Sequence, residues 1–266
     1  MIFSRVLAIR ADVGEVQKSN KEIMHDTDHT IICIAKTDIL SDECLFNAFY
    51  KGVSEARRKK VDRFLFYPDK RMSLGVEVLL YAALDRYGFD RNGCGPENAG
   101  GCEETSGIRF GIGEYGKPYI EGHGNIFFNM SHSDDYVMAV VSDREVGCDI
   151  QKMGGAEMDL AERFFCEQEF RHLSGQPTDT EKRDMFYRYW TLKESFMKAT
   201  GLGMELALSD FEVRPGDGKI VRQAVDDREY YFREFDLDGD FKAAVCIADR
   251  QTDAEPEIVE LDRIRI

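Results

Sequence analysis

The segment WTLKESFMKATGLG, residues 190–203, carries a glutamate, two lysines and the only tryptophan of the chain. Its pattern predicts a helix that ends at a glycine, and on that helix Glu194 and Lys198 lie one turn apart. Such a pair has two interpretations. It is either an ion pair on a solvent-exposed helix face, which adds about 0.2–0.5 kcal/mol, or a metal ligand and a proton donor that act on one substrate.

The segment EVGCDIQK, residues 145–152, reads as a strand, in which side chains alternate between two faces. Val146, Cys148 and Ile150 then point towards a core. Asp149 and Gln151 share the other face with a glycine, and two oxygen ligands on one strand face suit Mg²⁺. An edge strand with a solvated polar face gives the same pattern.

Three further groups of residues are candidates for binding an anion. Ser131 and His132 lie in NMSHSDD, which is predicted to close a strand with a turn. Lys117 lies between a glycine and a proline in EYGKPYI. Basic residues follow one another in a chain that is otherwise acidic, and they form either a solvated helix face or a clamp for phosphate: Arg57, Arg58, Lys59, Lys60, Arg63, Lys70 and Arg71.

Other patterns argue against particular sites. HDTDH, residues 25–29, has a spacing seen in metal sites, but it lies in a polar segment and is interpreted as a surface loop. The sequence contains no glycine-rich loop of the kind that binds ATP or dinucleotides. The absence of such a loop also argues against the hypothesis that the protein is a Mg²⁺-dependent phosphotransferase that uses ATP.

Composition limits the class of protein. The 266 residues are 43% apolar and carry a net charge of −15, which argues against non-specific binding to nucleic acid or to anionic membranes. The seven cysteines form no C-x-x-C pair and are interpreted as reduced thiols. With no apolar signal core or membrane-spanning run, the sequence predicts a cytoplasmic protein.

The remaining pattern mixes helices with strands. Helical spacing in 57–88 ends at Gly88, the segment 89–107 is predicted to be a long surface loop, and strands are expected at about 126–131, 136–142 and 145–151. Helices are predicted at 161–173 and 183–201, followed by strands in FEVRP, EYYFREFDL and FKAAVCIAD. VDRFLFYPDKR (61–71) resembles AERFFCEQEFR (161–171), which is either chance or the trace of a duplicated α+β unit.

Four motifs together resemble a known family. GKP (116–118), NMSHS (129–133), GCDIQ (147–151) and the tryptophan-led segment occur in the order found in 4′-phosphopantetheinyl transferases of the long, surfactin-synthetase-activating type. The resemblance covers most of residues 55–215. It implies an α+β fold of two similar subdomains, 1–141 and 142–266, related by pseudo-two-fold symmetry, with the active site in the cleft between them.

The resemblance also implies an activity. The family transfers 4′-phosphopantetheine from coenzyme A to a serine of an acyl or peptidyl carrier protein and releases 3′,5′-ADP, with Mg²⁺ as cofactor. A protein of this length is expected to be a monomer. The alternative is a catalytically silent module that binds coenzyme A or a carrier protein on the same fold.

By the same resemblance, individual residues acquire expected roles. Asp149, Gln151 and Glu194 would hold Mg²⁺, Glu194 would accept the proton of the carrier serine, and Lys198 would neutralise or protonate the leaving phosphate. Trp190 would pack the motif helix. Coenzyme A would be bound by basic and polar side chains: Arg57, Lys60, Arg71, Lys117, Ser131, His132 and Lys193. Arg58 and Lys59 are alternatives to Arg57 and Lys60.

One position departs from the family pattern. Relatives of the surfactin type carry glutamate where this chain has Gln151. A carboxamide oxygen can ligate Mg²⁺ but brings no negative charge. The departure therefore bears on metal affinity and metal preference.

Overall fold

The computed structural model describes residues 28–91 and 108–265. In this part of the chain the helices are α1 (Glu43–Gly52), α2 (Glu55–Arg63), α3 (Tyr67–Tyr87), α4 (Met158–Phe164), α5 (Glu167–Ser174) and α6 (Asp179–Thr200). The strands are β1 (Thr30–Lys36), β2 (Phe110–Ile112), β3 (Pro118–Ile120), β4 (Phe127–Ser133), β5 (Tyr136–Ser142), β6 (Val146–Lys152), β7 (Tyr230–Leu237), β8 (Phe241–Ala248) and β9 (Pro256–Ile258).

The two halves of the chain have the same topology. In the first, β1, a set of helices and the hairpin β4–β5 form a sheet of order β4-β5-β1, with β9 added beyond β1. In the second, β6, a set of helices and the hairpin β7–β8 form a sheet of order β7-β8-β6. The corresponding pairs, β1 with β5 and β6 with β8, are both antiparallel. The prediction of an α+β fold is confirmed.

Three apolar cores stack these elements into layers. One core joins α3 to the first sheet, and another joins α6 to the second sheet. The central core contains residues from both sheets, including Ile32, Ile34 and Val140 from the first and Cys148 and Ile150 from the second. The order of layers is therefore helix, sheet, sheet, helix, which covers both faces of each sheet.

Helix α3 shows how the sequence dictates one of these layers. Pro68 occupies the first turn, where its missing N–H costs nothing, and Gly88 ends the helix in the left-handed conformation with a φ of 84°. Between them every residue from Ser73 to Leu84 is buried. A helix that is apolar on nearly all sides must be covered on nearly all sides. Both the helix and its glycine stop were predicted.

The second half departs from prediction in two places. The helix expected at 161–173 is interrupted, because α4 ends at Phe164 and α5 begins at Glu167, with Cys166 at the N-cap. FEVRP was expected to be a strand, but in this stretch only Glu212 takes part in a β-bridge, with Arg222. The strands predicted near β4, β5 and β6 are confirmed to within two residues.

The sequence match between 61–71 and 161–171 relates similar local structures that occupy different places in the topology. Both segments leave one helix and enter another, since α3 begins at Tyr67 and α5 at Glu167. The helix that packs on the second sheet as α3 packs on the first is α6. The topology repeats, but this match does not align its equivalent helices.

Several expectations fall partly outside the described residues. Most of the predicted loop at 89–107 lies there, as do Cys94, Cys102 and the first three residues of HDTDH. The five cysteines in the described part are free thiols: Cys33, Cys44, Cys148, Cys166 and Cys246. None of the helices in the described ranges is long and apolar enough to span a bilayer.

Candidate active site

Strand β6 presents its two faces as the sequence predicted. Cys148 and Ile150 lie in the central core, and the opposite face lies against α6. Gly147 makes this approach possible, because a Cβ there would lie 2.1 Å from the backbone oxygen of Ser195 and 2.3 Å from the backbone nitrogen of Ala199. The missing side chain brings the strand that carries Asp149 directly onto the helix that carries Glu194 and Lys198.

Asp149 is the most deeply buried acid of the site, with 1% of its surface exposed. Its Oδ1 accepts hydrogen bonds from Lys198 Nζ at 2.7 Å and from Ser131 Oγ at 2.8 Å. Its Oδ2 accepts from Gln151 Nε2 at 3.2 Å. A buried carboxylate needs such donors, and here they come from α6, β4 and β6. Three elements from both halves of the chain therefore meet at one side chain.

A row of polar side chains on β4 positions this meeting point. Both β4 and β6 are edge strands, and the backbone N–H groups of Cys148, Ile150 and Lys152 donate to side chains of β4. The acceptors are Asn129 Oδ1 at 3.1 Å, Ser131 Oγ at 3.3 Å and Ser133 Oγ at 3.0 Å. We call this row the β4–β6 seam. It satisfies backbone donors that an edge strand otherwise leaves unpaired.

The seam corrects the interpretation of Ser131. It was predicted to lie at a turn and to face an anion, whereas it lies within β4 and the turn begins at Asp134, which has a φ of 53°. The Ser131 hydroxyl donates to Asp149 and accepts from both Lys198 and Ile150. A hydroxyl with one donor and two acceptor positions is then fully used. His132, the next residue, lines a cavity and keeps only part of its surface exposed.

Glu194 lies beside this cluster but is bonded differently. Across residues 28–91 and 108–265, no side chain donates a hydrogen bond to its carboxylate, which is partly buried on α6. Burial raises the pKa of Glu194, and the negative charge of Asp149 raises it further, against the opposing effect of Lys198. A carboxylate with a raised pKa and no protein partner is suited to receive a proton or a cation.

Lys198 is paired across the fold and not along its own helix. Its partner is Asp149, and no ion pair with Glu194 occurs in the part of the chain described. Burial opposes the charge on Lys198, but the attraction and hydrogen bond of Asp149, together with the effects of Cys148 and Glu194, outweigh it, so the pKa of the ammonium is raised. The interpretation of Glu194 and Lys198 as a solvent-exposed i,i+4 pair is therefore wrong. Trp190 stacks on Phe186 at 5.8 Å between ring centroids, consistent with a packing role.

An open cavity of about 360 Å³ lies beside strand β4, next to the cluster of Asp149, Glu194 and Lys198. Its polar lining includes Arg57, Lys60, Asn129 and His132, and its apolar lining comes from α3, the β2–β3 hairpin and β4: Val76, Leu80, Phe110, Ile112, Pro118, Phe128 and Met130. Burial lowers the pKa of His132, and the positive charges of Lys60, Lys198 and Arg57 lower it further. Three cationic or basic groups against an apolar wall suit a ligand with both a phosphate and a flat ring.

The structure separates the basic residues that the sequence left in alternative registers. Arg57 and Lys60 line the cavity. Arg58 donates to the carbonyl oxygen of Val53 at 2.6 Å and so caps the end of α1, while Lys59 pairs with Glu55 on its own helix. Arg71 is directed away from the cavity, towards Ser41 and the carbonyl oxygen of Asp38.

Two other predicted ligands have structural partners. Lys117 Nζ donates to Glu145 Oε2 at 2.6 Å and to the carbonyl oxygen of Ala199 at 2.8 Å, although its neighbours Gly116 and Pro118 line the cavity. It therefore ties the β2–β3 hairpin to the end of α6. Burial lowers its pKa, against the attraction of Glu145.

Lys193 is the clearest departure from expectation. Its side chain is fully buried, forms an ion pair with Glu169 at 2.8 Å and donates to the carbonyl oxygens of Leu208 and Phe211. Burial lowers its pKa, while Glu169 opposes the shift. The role expected for Lys193 at a pyrophosphate is contradicted, because it anchors α5 and the 208–211 loop to the far side of α6.

The expected Mg²⁺ site has few protein ligands. In the described ranges no group of three or more His, Cys, Asp or Glu side chains is arranged to hold a metal. Two carboxylates and the carboxamide of Gln151 are the oxygen donors at the site. Three polar residues of the cavity, Ser54, Glu77 and Asn129, were not among the predicted site residues. Asn129 could have been found from the alternation in NMSHS, whereas Glu77 lies in an apolar helix that gives no functional signal.

The known proteins to which this chain is similar are phosphopantetheinyl transferases. The model of the 4′-phosphopantetheinyl transferase superfamily matches residues 145–246. A 4′-phosphopantetheinyl transferase from Bacillus subtilis is 37% identical over 200 residues, which cover 74% of this chain and 83% of that protein. The transferase Sfp from B. subtilis strain 168 is 33% identical over 203 residues, covering 75% and 84%. A Xenopus laevis L-aminoadipate-semialdehyde dehydrogenase-phosphopantetheinyl transferase is 37% identical over 157 residues, covering 50% and 52%.

Proposed function

This chain belongs to the 4′-phosphopantetheinyl transferases, and from that premise we propose that it moves 4′-phosphopantetheine from coenzyme A to a serine of an apo acyl or peptidyl carrier protein. The observation that carries the proposal is the convergence of Asp149, Glu194 and Lys198 where the two halves meet, next to the basic cavity. The basic side chains of the cavity would neutralise phosphate, and the carboxylate of Glu194 would accept a proton.

The chemistry requires charge neutralisation more than covalent help from the protein. The serine oxygen forms a bond to the phosphorus that carries the pantetheine. The bond from that phosphorus to the bridging oxygen breaks, and 3′,5′-ADP leaves with the electron pair. Glu194 accepts the hydroxyl proton, and its raised pKa makes it a stronger base than an ordinary glutamate. Lys198, whose pKa is also raised, remains an ammonium and stabilises the departing oxygen.

The residues present fit a divalent cation. Burial is the main cause of the raised pKa of Glu194, and repulsion by Asp149 is the second; a cation bound by both carboxylates would reduce that repulsion. With Gln151 they would hold Mg²⁺, whose contribution is to neutralise the pyrophosphate and increase its electrophilicity. In the structure Oδ1 of Asp149 accepts from Lys198 and Ser131, while Oδ2 accepts only from Gln151, so Oδ2 keeps an acceptor position that a metal could use.

The cavity supplies the nucleotide site in this proposal. Its apolar wall would receive the adenine ring, and Arg57, Lys60 and His132 would receive the 3′-phosphate. We further propose that the protein acts as a monomer, since one chain supplies both sides of the β4–β6 seam, and that it works in the cytoplasm, where its free thiols would stay reduced.

The direct test is to incubate the protein with coenzyme A, Mg²⁺ and several apo carrier proteins and to weigh the carriers by mass spectrometry. We expect a gain of one phosphopantetheine, which is absent when coenzyme A or the enzyme is left out. If every carrier keeps its mass while the protein still binds coenzyme A, the proposal fails and the chain is a silent binding module.

A further inference from the structure

Glu77 is a buried carboxylate beside the cavity that the proposed reaction does not use. It lies on α3 with 4% of its surface exposed. Its Oε1 accepts from the backbone N–H of Ser54 at 2.8 Å and from the Tyr81 hydroxyl at 2.8 Å, and its Oε2 accepts from Arg57 Nε at 2.9 Å. Each oxygen of this carboxylate therefore has a donor, and one donor is the arginine that lines the cavity.

These contacts restrain Arg57 along its length. The Ser54 side chain caps the backbone N–H of Arg57 at the start of α2, and Ser54 is itself held by Glu77. Further out, Nε lies on Glu77 and Nη1 lies 3.4 Å from Ser73 Oγ. Among the described residues no partner is recorded for Nη2, and the arginine side chain keeps 10% of its surface exposed. The guanidinium thus has one edge fixed to the protein and one edge available to the cavity.

A restrained guanidinium binds phosphate differently from a free one. An unrestrained arginine loses rotamer freedom whenever it forms its paired hydrogen bonds, and that loss weakens binding. Here Glu77 has already fixed the orientation of the fork. Because Arg57 shares the cavity with Lys60 and with the imidazole of His132, its available edge belongs to a group of hydrogen-bonding and cationic side chains that would suit a terminal phosphate monoester.

We propose that Glu77 is a positioning residue that orients Arg57 and thereby sets the preference of this cavity for nucleotides with a 3′-phosphate. The inference rests on the proposed function, since it takes the cavity to be the nucleotide site. It assigns Glu77 no contact with substrate. A purely structural role would instead be to hold the start of α2 through Ser54, which would affect nucleotides with and without a 3′-phosphate equally.

The test compares two nucleotides that differ at the 3′ position. Binding of 3′,5′-ADP and of 5′-AMP is measured by calorimetry for the unaltered protein, for Glu77→Gln and for Tyr81→Phe. We expect Glu77→Gln to weaken 3′,5′-ADP by about tenfold and 5′-AMP by less than about twofold, because an amide keeps the shape but loses the charge that holds Nε. Tyr81→Phe leaves the Arg57 contact intact, so it should preserve the preference.

Each other outcome overturns the proposal. Equal weakening of both nucleotides by Glu77→Gln would make Glu77 a structural residue, and unchanged binding would remove its role. If Glu77→Gln does not fold, Glu77→Asp keeps the charge but withdraws the carboxylate by one methylene, and an unaltered preference in that variant would also refute the inference. The mass assay gives an independent result. If the protein transfers phosphopantetheine to a carrier but binds 3′,5′-ADP no better than 5′-AMP, the inference alone is overturned. If it transfers nothing but still prefers 3′,5′-ADP, the proposed transferase activity is overturned.

Discussion

At the scale of single residues, the choice of partner by Lys198 determines what Glu194 can do. Spacing alone suggests that two opposite charges one turn apart attract each other. The ammonium instead pairs with Asp149, because a charge with 1% exposure is far more costly to leave unpaired than one on a half-buried helix face. Within residues 28–91 and 108–265, Glu194 is thereby left without a side-chain donor and with a raised pKa, so it is the acid of the pair that is available for proton transfer.

Replacing Glu194 by glutamine should abolish transfer and leave the fold intact. The amide keeps the size of the side chain but cannot accept a proton, so we expect turnover to fall by at least about 10²-fold. Turnover is measured by the mass of the carrier, and folding by the thermal unfolding midpoint. Glu205→Gln, at an exposed position just beyond α6, is the matched control. Undiminished turnover in Glu194→Gln would remove the role given to this residue.

Gln151 offers a second prediction at this scale. Its amide nitrogen donates to Asp149, so Gln151→Glu would place a second carboxylate against the first. Because like charges at this distance repel and a divalent cation relieves the repulsion, we expect tighter Mg²⁺ binding in the variant. A titration of activity against Mg²⁺ should then reach half-saturation at a lower concentration. An identical titration curve would place residue 151 outside the metal ligands.

At the scale of elements, the site depends on how closely α6 packs on β6. Gly147→Ala would force a methyl group into the backbone of α6 at Ser195 and Ala199, and backbone cannot move aside as a side-chain tip can. We expect a loss of about 1–3 kcal/mol in the free energy of unfolding, together with reduced transfer, because Lys198 is displaced from Asp149.

Denaturant unfolding measures the first effect and carrier mass the second. Gly155→Ala is the control, since a Cβ at that glycine meets no atom within 4 Å and its φ is not positive. If Gly147→Ala is as stable and as active as the control, close packing of α6 on β6 is not what positions the site.

Some of this arrangement was predictable and some was not. The alternation of Cys148 and Ile150 with Asp149 follows from the period of a strand, so the two faces of β6 could be assigned in advance. The burial of Lys193 had a local signal, because its neighbours one turn away are Tyr189, Trp190, Phe196 and Met197, whereas Lys198 has Glu194 and Ser195 at that spacing. Which carboxylate each lysine meets, Glu169 or Asp149, is set by the tertiary fold, and no local pattern encodes that.

At the scale of the whole molecule, the C-terminal segment closes the chain onto its first half. Strand β9 pairs in parallel with β1, and Arg86 on α3 holds Glu257 through two hydrogen bonds of 2.6 Å and 2.8 Å. The boundary at 141/142 therefore stays a prediction, since residues near 257 lie on the sheet of the first half. This return of the chain had no signal in the sequence, where the C-terminal segment could not be assigned.

The Arg86–Glu257 pair should make stability depend on pH. The hydrogen bonds from Arg86 lower the pKa of Glu257 in the folded protein, so the stabilisation is present above the ordinary glutamate pKa of about 4.3 and is lost as pH falls through the folded value. We expect Glu257→Gln to cost about 0.2–1 kcal/mol at pH 7, as is typical of exposed pairs, and less at about pH 3.

Urea unfolding at both pH values measures the difference, with Glu260→Gln as a control at an exposed neighbouring position. A gap between the unaltered protein and Glu257→Gln that is constant from neutral to acid pH would show that ionisation of Glu257 does not contribute to attachment of β9.

The β4–β6 seam has a consequence for how the two halves can join. Its bonds use every second residue of β4, so a slip of one position would turn Met130 and His132 towards β6 and expose the hydroxyls to the cavity. A slip of two positions would carry Asp149 about 6.6 Å from Ser131, too far for a hydrogen bond. Assembly in any register but one would thus yield a folded-looking molecule in which Asp149 and Lys198 still pair but lack the Ser131 hydroxyl that bonds to both, and an insertion or deletion of one residue within 129–133 would be enough to produce it.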